Sequence, residues 1–220
     1  MSIATDLVLM ATDPITHKLT LSSVNNDAII GGAHLLDLVA ARRVAVEGTA
    51  KKVRVRVIDG SPYPDPEVDE ALSRLRDGKT RKASDAVTRL GKNGVQNAYR
   101  RLVGTGQVRD RQESVLGFGL RRHEVLDIAR RDDLIARVRD ALLQGLPVDA
   151  TSGPLIGLLQ ASDQLKLVTS RDERKTAKTA AAAISAEDWA SAGVKDAIAA
   201  TQTALAVAVF TPTVIAATSS

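Results

Sequence analysis

The residues able to do chemistry are few and scattered. His17, His34 and His123 are the three histidines, and none stands in an HExxH or comparable metal-ligand spacing. An isolated histidine serves structure more often than catalysis. Gly104-Thr105-Gly106 and Gly117-Phe118-Gly119 each begin a G-x-G pattern. Arg109 and Arg122 fill the third glycine position, and neither pattern joins a strand to a helix, which argues against a dinucleotide site. There is no G-x-S-x-G and no Walker lysine motif. Adjacent acids such as Asp132-Asp133 sit at a helix start, where the helix dipole accounts for them. With no cysteine in the chain, disulfides and thiolate metal sites are excluded. The expectation is a binding protein and not an enzyme, with no catalytic residue, no metal and no cofactor.

The charge distribution is more informative. Between Lys92 and Arg131 there are nine Lys/Arg against four Asp/Glu, a net of +5, although the whole chain carries only +4. A basic middle segment suits a phosphate-bearing partner, either lipid headgroups or nucleic acid. Solvated helix faces are the plainer explanation. Within that segment Arg100 and Arg101 stand out on a short helix, and Lys92 lies in a loop flanked by Gly91 and Gly94.

The elements that must carry these residues are mostly helical. Aromatic residues make up 2% of the chain, so the core must be built from Leu, Val, Ile and Ala, which favours packed amphipathic helices. The periodicity predicts a helix over 27–41, then a short β-hairpin from Val44-Ala45-Val46 and Val53 to Val57. Asp65 is the expected cap of a helix that has Pro66 in its first position. Two short helices follow over 83–90 and 95–103. A second hairpin is expected to run through 107–109, turn at 110–114 and return over 115–120. Further helices are expected over 126–146, from Thr151 or Ser152 through Leu165, over 171–184, and from about 186 to 210. Ser185 and Asp188 form a capping-box-like start for the last. The fold class is mainly α, one compact helical domain over residues 1–220 with two short β-hairpins.

The N-terminus lacks the basic start and apolar block of a secretory signal. The Ala-rich stretch over 197–217 is broken by polar residues and Pro212, so it reads as a buried terminal helix and not a membrane span. A cytoplasmic protein with peripheral membrane contact is expected.

Six motifs in order resemble the Golgi phosphoprotein 3 family. They are Asn26-Asp27-Ala28-Ile29 with Gly32; Leu35-Leu36-Asp37-Leu38 with Arg42-Arg43-Val44; Asp69-Glu70-Ala71-Leu72; Leu102-Val103 with Gly106 and Val108; Leu158 to Asp163; and Ala206 to Thr211. The eukaryotic members bind phosphatidylinositol 4-phosphate on the Golgi, and relatives occur in bacteria. The resemblance implies a helical fold, a basic pocket for a phosphorylated inositol headgroup, and an apolar hairpin for membrane contact or self-association. Aligned without a gap at Asn26-Asp27, the family's headgroup Trp falls at Asn25 and its first Arg at His34. The two later Arg fall at Lys92 and Val95. Placing the gap before the helix moves the first two to Ser22 and Gly31. Lys92 is a cation under both alignments.

The implied headgroup set is therefore Lys92, His34 and Asn25, with Arg100 and Arg101 as neighbouring cations. The implied membrane hairpin is Val115, Leu116, Phe118 and Leu120, rimmed by Arg109, Arg111, Arg121 and Arg122, a pattern suited to an anionic interface. The expected partners are an anionic phospholipid headgroup, the inner face of the membrane, and a second copy of the chain through the hairpin. A competing expectation comes from shape. Two short helices followed by a two-stranded wing mimic a winged helix-turn-helix, with 95–103 as the helix that enters DNA.

Overall fold

The computed structural model describes residues 2–21, 26–48, 52–115, 118–186 and 192–209. Its centre is two helices buried on nearly every side. The first, α1 (Ile3–Ala11), starts at Ser2, whose hydroxyl accepts from the Thr5 amide while the Thr5 hydroxyl accepts from the Ser2 amide. All nine of its residues are buried, including Thr5 and Asp6. A helix apolar on most faces belongs inside a domain. The second, α2 (Asn26–Ala40), is buried from Ile29 to Val39.

Around this centre the chain adds β1 (Val44–Glu47), β2 (Arg54–Val57), α3 (Pro66–Ser73), β3 (Arg81–Lys82), α4 (Ala83–Gly91) and α5 (Gly94–Gly104). Then come β4 (Val108–Val115), β5 (Phe118–Val125), α6 (Ile128–Gln144), α7 (Ser152–Ala161), a 3-10 turn at Leu165–Leu167, α8 (Arg174–Ala186) and α9 (Ala192–Val209). The mainly α class with short hairpins holds. Asp65 caps α3 as expected, accepting from the Glu67 amide at 2.9 Å.

Close packing of α2 on α4 depends on two glycines. A Cβ on Gly31 would collide with the Val87 carbonyl, and one on Gly91 with the Asp27 carbonyl. The two backbones touch with no side chain between them, which fixes the end of α4 and the loop that carries Lys92.

One element was not expected, and three expectations need correction. The helix α1 went unforeseen, because Ser2 and Thr5 make a weaker capping signature than the usual Glu or Gln. The first hairpin gains a third strand: Arg54 and Val55 of β2 also pair with Lys82 and Arg81 of β3. The second hairpin is longer than expected. Its ladder runs from Val108↔Val125 to Val115↔Phe118, so residues 110–114 are strand and not turn. Finally, Ser185 does not start the last helix. It lies in α8, where its hydroxyl meets the Ala181 carbonyl at 2.8 Å and Gln160 Oε1 at 2.9 Å; Asp188 lies outside the described residues. Among the described residues no helix is long and apolar enough to cross a membrane.

Candidate functional site

Two helices present matching stripes to each other. Glu67, Glu70, Ala71 and Arg74 on and just after α3 have the spacing i, i+3, i+4, i+7, and so do Asn97, Arg100, Arg101 and Gly104 on α5. That spacing puts each set on one helical face. These eight residues, with Pro66, Thr105 and His34 of α2, line a cavity of about 310 Å³. On its other face α5 buries Ala98, Tyr99 and Leu102. Packing of that face turns the two arginines outward.

Arg74 ties the wall together. Its Nη1 donates to the carbonyls of Leu90 at 2.6 Å and Lys92 at 3.0 Å, and its Nη2 donates to Glu70 Oε1 at 2.9 Å. The same Glu70 oxygen accepts from Asn97 Nδ2 at 2.9 Å. Glu70 and Arg74 thus cancel each other's charge. The guanidinium groups of Arg100 and Arg101 make no hydrogen bond or ion pair with a described residue, and both side chains are exposed. Glu67 is the remaining carboxylate. Burial, its largest influence, raises its pKa, which weakens its claim on Arg101. The charge left at the mouth of the cavity is positive.

His34 forms part of the cavity but is 5% exposed. Burial first, and then the Arg74 charge, push its pKa down to about 4, so it is neutral at neutral pH. It can offer a hydrogen bond, but it carries no charge there. Asp37, one turn on, is pushed up to about 8, chiefly by burial.

The expected set is therefore divided. His34 lies in the cavity. Lys92 caps α4 with an exposed side chain and does not line the cavity, although its carbonyl is held by Arg74. Asn25 lies outside the described residues. Val95, the position of the other family arginine, is only partly buried against the core. The cavity-lining cations without a described partner are Arg100 and Arg101, both singled out in the sequence. Arg74, Glu70 and Asn97 were missed. Their signal was present in the paired i, i+3, i+4, i+7 stripes, but nothing in the sequence says that α3 and α5 face each other.

The long hairpin is anchored at its base. Val108 and Val125 are buried, and the His123 ring stacks on Tyr99 with centroids 3.5 Å apart and planes 12° apart. His123 Nδ1 also meets Asp110 Oδ1 at 3.0 Å. Glu124 takes both Arg111, at 2.8 Å, and Arg109, at 3.7 Å. Of the expected membrane residues, Leu116 lies outside the described residues, and the side chains of Val115, Phe118 and Leu120 do as well.

The fold is a mainly helical domain with a cavity between α3 and α5. Among its described residues there is no cluster of His, Asp or Glu that could hold a metal ion. The chain belongs to the Golgi phosphoprotein 3 (GPP34) family, whose model matches residues 3–201. No curated protein matches the chain closely enough to count as a relative.

Proposed function

We propose that this chain is a peripheral membrane protein that binds an anionic phospholipid headgroup, of the phosphatidylinositol 4-phosphate kind, in the α3–α5 cavity. The observation that carries the reading is the pair Arg100 and Arg101, unpaired at the mouth of a concave site. Arginine donates charge-assisted hydrogen bonds to phosphate oxygens. His34 and Asn97 supply neutral donors deeper in. The tip of the β4–β5 hairpin, through Val115, Leu116, Phe118 and Leu120, adds apolar insertion at the inner face of the membrane. Contact between copies through that tip is a variant of the same role. Family membership supports a binding function over catalysis.

The winged-helix alternative keeps one observation in its favour, the order α4, α5, β4, β5. Against it, the α5 face bearing Arg100 and Arg101 is walled by α3. A recognition helix must project into the major groove, whereas a concave site suits a small headgroup.

The test is co-sedimentation with vesicles of neutral phosphatidylcholine, alone or doped with phosphatidylinositol 4-phosphate, phosphatidylglycerol or phosphatidylserine, beside a duplex-DNA mobility shift at the same salt. Binding to acidic vesicles that weakens with salt is expected. A DNA shift at physiological salt with no vesicle binding would overturn the reading.

A further inference from the structure

A second hollow lies elsewhere on the molecule, with a different set of cations. Its volume is about 330 Å³, and its lining includes Asp13, Thr20, Arg131, Lys166 and Arg174. The cations come from three elements: Arg131 from α6, Lys166 from the 3-10 turn and Arg174 from the first position of α8. None of these residues lines the α3–α5 cavity.

Arg131 is held in place. Its Nε donates to the Thr12 carbonyl at 2.9 Å and its Nη1 meets Asp132 Oδ1 at 2.8 Å, with the side chain 16% exposed. Lys166 and Arg174 are exposed, and neither makes an ion pair with a described residue. Three neighbouring acids already have partners. Glu173, next to Arg174, accepts from Arg139 at 2.8 and 3.0 Å and from the Ser170 amide at 2.8 Å. Asp163 pairs with Lys178 at 2.9 Å. Asp13, the one carboxylate in the lining, caps its own turn, its Oδ1 accepting from the Ile15 and Thr16 amides at 3.0 and 2.6 Å. Three cations against one acid leave the lining at a formal +2, of which the Arg131 charge is shared with Asp132 just outside it.

We propose that this hollow is a second anion site, which takes a phosphate group on Arg131, Lys166 and Arg174. Like charges gathered from separate elements repel one another, and a bound dianion reverses that repulsion. Arg131 acts as the fixed donor. Lys166 and Arg174 close on the ligand from the other side. The ligand chemistry is a phosphate monoester or diester, either free in solution or carried by a lipid.

The test titrates inorganic phosphate, and separately glycerol 3-phosphate, into the full chain while amide shifts are followed by NMR. Saturable shifts at Thr20 and Leu167 are expected. Lys166→Ala with Arg174→Ala should weaken that binding by at least about tenfold, because two charge-assisted hydrogen bonds are lost. Lys166→Arg with Arg174→Lys should restore it. The pair is solvent-exposed, so the fold should survive, which the remaining amide spectrum reports. Shifts at Thr20 and Leu167 report this hollow, whereas shifts at Asn97 and Gly104 report the α3–α5 cavity, so the two phosphate responses are read separately. A vesicle arm with phosphatidylglycerol, run in the R100A/R101A background, assigns the source: adding K166A/R174A removes the remaining salt-sensitive binding if the phosphate is a lipid's and leaves it in place if the phosphate is free. Phosphate affinity within about twofold of the parent in K166A/R174A, or a response abolished by R100A/R101A instead, would overturn the proposal.

Discussion

His34 Nδ1 faces Asp37 Oδ2 across 4.0 Å, one turn apart on α2, and neither atom has another partner. Asp37 spends its other oxygen on the Ile3 amide, at 2.9 Å, so it joins α1 to α2. Burial raises Asp37 to about 8 and lowers His34 to about 4. Both are therefore neutral at pH 7. Arg74 on the histidine's side, and Glu67 and Asp6 around the aspartate, add to both shifts. His34, the member of this pair that lines the α3–α5 cavity, is uncharged there even though the mouth is cationic.

This pair sets a pH dependence of stability with two opposed parts. The unfolded chain releases the Asp37 proton near 3.8, whereas the folded chain keeps it to about 8. Between those values the unfolded state binds fewer protons, so raising pH favours unfolding. His34 acts the other way. The unfolded chain takes up its proton near 6.5 and the folded chain only near 4, so lowering pH through that window favours unfolding. Asp37→Asn keeps the acceptor for the Ile3 amide and removes the first slope. Its stability relative to the parent should rise from pH 4 to pH 8 by on the order of a few kcal/mol. His34→Gln should gain relative to the parent only as pH falls from 6.5 to 4. Urea unfolding at several pH values measures both differences, and a flat difference for Asp37→Asn would show that the carboxyl is not buried protonated.

A second prediction concerns the α2–α4 contact. Gly31→Ala or Gly91→Ala places a methyl against a backbone carbonyl, which cannot rotate away as a side chain can. Overpacking of this kind costs about 1–3 kcal/mol. Denaturant midpoints should fall accordingly. Gly78→Ala is the control: its added methyl meets nothing within 4 Å, and its cost should come only from its φ of +73°.

The cavity arginines give a third. Each cation near an anionic membrane contributes about 1 kcal/mol, so Arg100→Ala with Arg101→Ala should lower acidic-vesicle affinity by roughly 30-fold at low salt. The loss should shrink as salt rises, because screening removes what the mutation removed. Lys92→Ala, outside the cavity, should cost roughly fivefold at most. A larger loss for Lys92→Ala than for the arginine pair would move the site to the α4–α5 loop.

Local signals carried most of the fold. The Asp65-Pro66 cap, the apolar stripe from Ile29 onward and the alternation over 53–57 each follow from neighbours in sequence. What escaped was long-range. The pairing of β3 with β2 joins Arg81 to Val55, and no local pattern in two residues announces a strand. The helix α1 is apolar on too many faces to show a stripe, because its burial comes from elements far along the chain. For the site, the helical register of Arg100 and Arg101 was legible. That they share a cavity with Glu70 and Arg74 was not, because it depends on α3 and α5 lying side by side.

The hairpin supplies the last prediction, a contrast between its base and its tip. At the base, Val125 is 5% exposed and pairs with Val108, itself 2% exposed, so both belong to the core. Val125→Ala should cost about 1–3 kcal/mol of stability, through lost burial and the cavity left behind. The tip should behave in the opposite way if it inserts into a membrane. Leu116→Ser and Phe118→Ser should leave the thermal midpoint unchanged but weaken vesicle attachment. Each apolar side chain buried in the interface contributes roughly 1.5–3 kcal/mol. Because that contribution is not electrostatic, the deficit should be the same at low and high salt, unlike the deficit from Arg100 and Arg101. Thermal melts beside vesicle sedimentation at two salt concentrations separate the cases. Tip variants that melt early would mean that Leu116 and Phe118 pack within the domain, and membrane attachment would then rest on the basic surface alone.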